Sequence, residues 1–151
     1  MGDYNRFRAM AAYICDHFTP PMRVADVGGG KGHLNEILTA EGFAAVTIDP
    51  SFDCPELAGI PARYSAGMAC EYDLIVGLHP DGATQEIVHS ARTRPVVIVP
   101  CCNVWDGSVS PRARSINYTI QRFFWANGIP WERDELPISG KNRVYRTSVP
   151  E

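Results

Sequence analysis

No segment of this 151-residue chain approaches the ~20 consecutive apolar residues of a membrane span. No membrane partner is therefore expected. The first twenty residues also lack the uninterrupted apolar stretch of a secretory leader. Cysteine is odd in number: Cys15, Cys54, Cys70, Cys101 and Cys102, five in all, with two adjacent. An odd set without a Cys-x-x-Cys pair argues against a secreted disulfide framework and against a structural zinc site. A reducing cytoplasm is the expected compartment, and no metal is expected. Internal repeats, low-complexity tracts and interdomain linkers are missing, so one domain over residues 1–151 is expected.

Charge of either sign is weak. The net charge is −3. Residues 1–100 hold seven Lys/Arg and twelve Asp/Glu, a balance of −5, and residues 101–151 hold seven and five, a balance of +2. The mildly basic C-terminal third either faces an anion such as RNA or is an ordinary solvated surface.

Periodicity supplies the elements. Phe7, Met10, Ala11, Ile14 and Phe18 recur at helical spacing, which predicts a helix over 4–18 ended by Thr19-Pro20-Pro21. Met22–Val27 reads as a strand, Leu34–Ala40 as a helix stopped by Gly42, and Ala44–Ile48 as a second strand. Residues 51–61 read as a loop. A short third strand is expected over Ala62–Ser65, a fourth over Tyr72–Leu78, a helix over Ala83–Ala91, and a buried strand over Val96–Val99. After a loop at 101–111, a helix from Pro111 to Asn127 is expected, with Ser110 as its cap. Trp131–Leu136 and Val144–Val149 form two final strands with no helix between them. Alternating strands and helices predict an α/β fold: a mostly parallel sheet with helices on both faces and a C-terminal antiparallel addition.

One motif stands above the rest. Val24-Ala25-Asp26-Val27-Gly28-Gly29-Gly30-Lys31-Gly32 runs from strand through glycines into helix. Glycines allow a sharp turn and let a ligand lie against main-chain N–H groups. A dinucleotide fingerprint would need a third glycine at position 33, which is His33; the observed spacing is Gly28, Gly30, Gly32. Asp26 would repel a pyrophosphate but can receive an ammonium group. Asp49 ends the second strand, where a carboxylate can accept hydrogen bonds from both hydroxyls of a ribose.

These residues resemble the class I, Rossmann-like, S-adenosylmethionine-dependent methyltransferases, and the resemblance covers the whole chain. It implies S-adenosylmethionine as cofactor, with Asp26, Gly28, Gly30 and Gly32 forming the acidic glycine motif and Asp49 serving the ribose. It further implies adenine contacts from the loop after the third strand, at Ala66, Gly67 and Met68. In this fold the strand ends face the transferable methyl group. His79 then takes a proton or holds the acceptor, or it only caps its turn; Asp81 orients the acceptor or acts itself, or caps the next helix. Cys101 and Cys102 are nucleophiles or pocket-shaping groups, or simply small buried residues.

His79-x-x-Gly82 after the fourth strand with Cys101-Cys102 after the fifth is similar to a subfamily that includes the tRNA ribose 2′-O-methyltransferases. This chain has Asp81 where that subfamily often has cysteine, and Asn103 where it often has His or Tyr. The Asn/Asp-Pro-Pro-Tyr/Phe motif of amino-group methylation and the Pro-Cys of cytosine-5 methylation are absent. RNA is the acceptor this reading favours, with a small molecule as the alternative and a non-catalytic binding subunit as the rival. Arg112, Ser115, Thr119 and Arg122 fall at helical spacing, as a phosphate-contacting stripe or a plain solvated face. Trp105 is a lid residue or a packing residue.

Overall fold

Every residue of Leu74–Leu78 and Val96–Val99 is apolar or glycine, and a strand apolar on both faces must be covered on both. In the computed structural model, which describes residues 4–101, 104–105, 108–109 and 115–151, both strands are buried along their whole length. The elements follow in order: α1 (Asn5–His17), β1 (Arg23–Val27), α2 (His33–Ala40), β2 (Ala44–Ile48), β3 (Gly59–Ile60), β4 (Leu74–Leu78) and α3 (Thr84–Ser90). Then come β5 (Val96–Val99), β6 (Val104–Trp105), β7 (Ser108–Val109), α4 (Ser115–Ala126), β8 (Trp131–Glu135) and β9 (Arg143–Thr147). Short 3₁₀ turns occupy Ala66–Glu71 and Asp81–Ala83.

The main sheet has seven strands in the order β3-β2-β1-β4-β5-β9-β8. β1 through β5 are mutually parallel, while β9 is antiparallel to both β5 and β8. The chain reverses direction across the sheet between β1 and β4, the switch point where open α/β sheets bind ligands. Met10, Ala11 and Ile14 of α1 pack with Leu34 and Leu38 of α2 on one face. Ile87 and Val88 of α3 and Ile120 and Phe124 of α4 cover the other. Burying each of the larger of these side chains, the Met, Leu, Ile, Val and Phe, stabilises the fold by roughly 1.5–3 kcal/mol. Among the described residues no helix is long and apolar enough to cross a membrane.

Three expectations need correction. The third strand is Gly59–Ile60, not Ala62–Ser65: Thr47 N–H donates to Ala58 O and Asp49 N–H to Ile60 O, which puts the pairing earlier in the chain. The 101–111 loop contains a two-residue antiparallel pair, Val104 with Val109 and Trp105 with Ser108. The α3 helix starts at Thr84, after the 3₁₀ turn. Pro111, Ser110 and Arg112 lie outside the described residues, so the start expected for α4 does too.

Candidate active site

β1 ends at Val27 and α2 begins at His33, so five residues must reverse the chain. Gly28, Gly30 and Gly32 do it with φ of +69°, +58° and +88°. Gly28 also lies so close to Pro80 that a Cβ there would stand 3.0 Å from its Cα. At Gly29 a Cβ would overlap the carboxylate of Asp26, so the loop passes directly over that group. The sequence reading passed over Gly29, whose requirement comes from this approach. Gly29→Ala should lower stability by about 1–3 kcal/mol, because the carboxylate has no room to yield; urea denaturation measures it.

Asp26 is only 1% exposed. A chain of buried hydrogen bonds fixes it. Thr39 Oγ1 donates to Asn35 Oδ1 (2.8 Å), Asn35 Nδ2 donates to Thr47 Oγ1 (3.1 Å), and Thr47 Oγ1 donates to Asp26 Oδ2 (2.9 Å). Burial pushes the Asp26 carboxyl up to about 6; the Thr47 hydroxyl opposes this and the nearby Asp49 charge adds to it. Asp49 moves the other way. Its partial burial raises it, but the Ser51 backbone and hydroxyl and the Gly30 N–H outweigh that and hold it below the usual carboxylate range. Gly30 N–H donates to Asp49 Oδ2 at 3.0 Å, and Ser51 donates to Oδ1 from N–H (2.8 Å) and hydroxyl (2.7 Å).

The end of β4 is strained. His79 and Asp81, both non-glycine, have φ of +49° and +48° on either side of Pro80. Such conformations cost about 1–3 kcal/mol each and cluster at functional sites. His79 N–H donates to Val99 O, which ties this segment to the end of β5. The ring is fully engaged: Arg6 Nη1 donates to Nδ1 (3.2 Å) and Nε2 donates to Lys141 O (2.8 Å). Arginine can only donate and a carbonyl can only accept, so the ring carries its proton on Nε2. It links α1 to the β8–β9 hairpin rather than merely capping its own turn. Asp81 is exposed. The Cys101 thiol donates to its Oδ1 at 3.6 Å, a weak bond.

One cavity of about 840 Å³ unites these groups, within the range of small-molecule and cofactor sites. Asp26, Gly28, Gly30, Asp49, His79, Asp81 and Cys101 line it. Gly32 does not; it caps α2. Gly67 and Met68 do not line it either. They sit in the Ala66–Glu71 turn, where Met68 packs against the core and its sulfur accepts from Ser65 N–H at 3.4 Å. Cys102 lies outside the described residues. Trp105 packs by its ring edge on His89, 5.8 Å between centroids. Among the described residues no group of three His, Cys, Asp or Glu can hold a metal.

The sequence reading missed the cations. Arg6, Lys31 and Lys141 also line the cavity. None of the three forms an ion pair with a carboxylate among the described residues. Lys31 was visible inside the glycine motif; Arg6 and Lys141 arrive from opposite ends of the chain.

A parallel sheet with a glycine loop at its switch point and acids ending β1 and β2 defines a nucleoside-cofactor-binding α/β enzyme. The family model described as a methyltransferase domain matches residues 3–106. The chain belongs to that family and is an S-adenosylmethionine-dependent methyltransferase. No curated protein sequence matches it. Solved structures share the fold at low identity. The ribosomal protein L11 methylase of Lactobacillus delbrueckii subsp. bulgaricus is 16% identical with a TM-score of 0.67, over 100% of this chain and 81% of that one. The magnesium protoporphyrin IX methyltransferase of Synechocystis PCC 6803, with bound S-adenosylhomocysteine, is 14% identical with a TM-score of 0.69, over 97% and 82%. Aeropyrum pernix fibrillarin, with S-adenosylmethionine, is 10% identical with a TM-score of 0.58, over 96% and 76%.

Proposed function

We propose that S-adenosylmethionine lies across the carboxyl ends of β1 and β2 and that its methyl group passes to RNA. The residues present fit the cofactor. Asp26 is a buried carboxylate with no cationic partner among the described residues, and the cofactor's ammonium would supply one. The glycine loop offers a cradle, and Asp49 stands where a ribose would lie. When bound, the cofactor supplies an electrophilic methyl on a sulfonium. The chain's residues then position the acceptor and exclude water.

The observation that carries the acceptor reading is the trio of cations lacking carboxylate partners, Arg6, Lys31 and Lys141, in a protein of net charge −3. Lys31 sits in the glycine loop, where it would meet the cofactor's own carboxylate. Arg6 and Lys141 flank His79, on the acceptor side, where phosphates would meet them. A small anionic molecule is the second reading. It is favoured by the His79 bridge, which draws α1 and the hairpin together over the cavity.

With both His79 nitrogens engaged, Asp81 is the proton acceptor. The Asp81 carboxylate would take the proton that the acceptor's nucleophile gives up on methylation. His79 is a positioning residue. Cys101 lies beside Asp81 as a weak donor. The described cysteines form no disulfide with one another, which suits work in a reducing cytoplasm. Asp49→Ala should weaken S-adenosylhomocysteine binding at least tenfold, since hydrogen bonds to a charged group are worth about 1.5–3 kcal/mol. Calorimetry tests this; unchanged affinity in a folded variant removes Asp49 from the site.

A further inference from the structure

The surface of α4 keeps two large aromatic side chains in water. Trp125 is 84% exposed and Tyr118 is 59% exposed. With Arg122 they stand four and three residues apart, so all three share one helix face. The opposite face buries Ile116, Ile120 and Phe124. The Arg122 guanidinium lies 5.6 Å from the centroid of the Tyr118 ring, and its Nη1 donates to the Tyr118 hydroxyl at 3.4 Å.

Charge selects the partner. α4 contains no acidic residue. Arg92 lies 5.7 Å from the centroid of the Phe123 ring on the adjoining flank. Arg133 of β8 alternates onto the same side as Trp131, whose ring is 6.3 Å from Phe124. Among the described residues, Glu86 of α3 is drawn to His89 at 3.9 Å, and Glu135 ends β8 on the side of Trp131 and Arg133. Aromatic rings interleaved with arginines, on a helix that carries no acid, suit unstacked bases on a phosphate backbone.

The strip also points the right way. Trp131 is level with Thr147, and Thr147 Oγ1 accepts from Val96 N–H at the start of β5. The C-terminal end of α4, which leads into β8, therefore lies toward the start of β5, while Asn117 at its other end accepts from the hydroxyl of Tyr145, the residue paired with Ile98 further along β5 toward the cavity. From Tyr118 to Trp125 the face extends about 10 Å.

We propose that the Tyr118–Arg122–Trp125 face of α4 docks single-stranded RNA, with bases stacked on the two rings and phosphates held by Arg122 and Arg92. This deepens the RNA reading of the active site by giving the substrate a grip outside the cavity. The test is fluorescence anisotropy of labelled oligouridine RNA with the full chain in excess S-adenosylhomocysteine. Tyr118→Ala and Trp125→Ala should each weaken RNA binding by on the order of tenfold, and Trp125→Phe should keep most of it. Arg122→Gln should reduce the slope of log affinity against log salt by about one. Calorimetry on the same variants should show unchanged S-adenosylhomocysteine affinity.

An intact chain that fails to bind the RNA overturns the proposal and assigns the face to a protein partner. RNA affinity unchanged in the Tyr118→Ala, Trp125→Ala double variant also overturns it. RNA binding that depends on these rings, without methyl transfer to RNA, upholds the docking face and refutes RNA as acceptor. The two readings fail separately.

Discussion

Asp81→Asn transfers methyl groups roughly 10²–10⁴-fold more slowly than the native chain and binds S-adenosylhomocysteine equally well. Asparagine suits the test because it tolerates the left-handed conformation that Asp81 adopts, φ +48°. It keeps the carboxylate's shape and loses its charge and its capacity to accept a proton. Single-turnover methyl transfer, with cofactor affinity measured beside it, separates this loss from a loss of binding. The same comparison at His79 should differ. His79→Asn also keeps the left-handed conformation, φ +49°, but removes the bridge between Arg6 and the Lys141 carbonyl. Its main effect should be a raised KM for the acceptor, with a smaller change in kcat. A large loss in kcat for His79→Asn, with Asp81→Asn nearly native, would exchange the two roles.

Affinity for S-adenosylmethionine should fall by about tenfold per pH unit on the acid side of pH 6 and level off above it. The sign follows from Asp26. Burial raises its carboxyl from 3.8 to about 6 in the free protein. A cationic ligand favours the ionised form, so protons compete with the cofactor below that value and not above it. Binding near pH 6 should release protons, which calorimetry in buffers of different ionisation enthalpy detects. The same raised value bears on folding. The unfolded chain ionises Asp26 near 3.8 and the folded chain near 6. Asp26 therefore takes nothing from stability below about pH 3.8 and destabilises the free protein increasingly up to about pH 6, by about 3 kcal/mol in all. Asp26→Asn should abolish both dependences. A flat affinity profile between about pH 5 and pH 7.5 in the native protein would remove Asp26 from the cofactor.

The glycine loop was legible because its parts are contiguous: strand, acid, glycines and helix follow within Val24–Leu34. The sheet was legible for a similar reason, since β4 and β5 are apolar throughout and punctuated by turn residues. β3 was not. It is two residues long, begins with glycine, and exists only because Thr47 and Asp49 offer ladder donors to Ala58 and Ile60. No period is readable in two residues.

The acceptor side escaped for a different reason. Arg6 meets His79 across 73 positions and Lys141 meets it across 62. Neither side chain carries a local signature, and only the closure of α1 and the β8–β9 hairpin over the sheet brings them together. The engagement of both ring nitrogens follows from that closure, so the sequence left His79 and Asp81 open as alternatives. Gly67 and Met68 rested on resemblance alone, and local packing turns that segment into a short 3₁₀ helix.

The most direct measurement is transfer of labelled methyl from S-adenosylmethionine into a cell extract separated into RNA, protein and small molecules. Label should appear in RNA with the native chain and fall by roughly 10²–10⁴ with Asp81→Asn. Label confined to protein or small molecules, or equal labelling by the two chains, would contradict it.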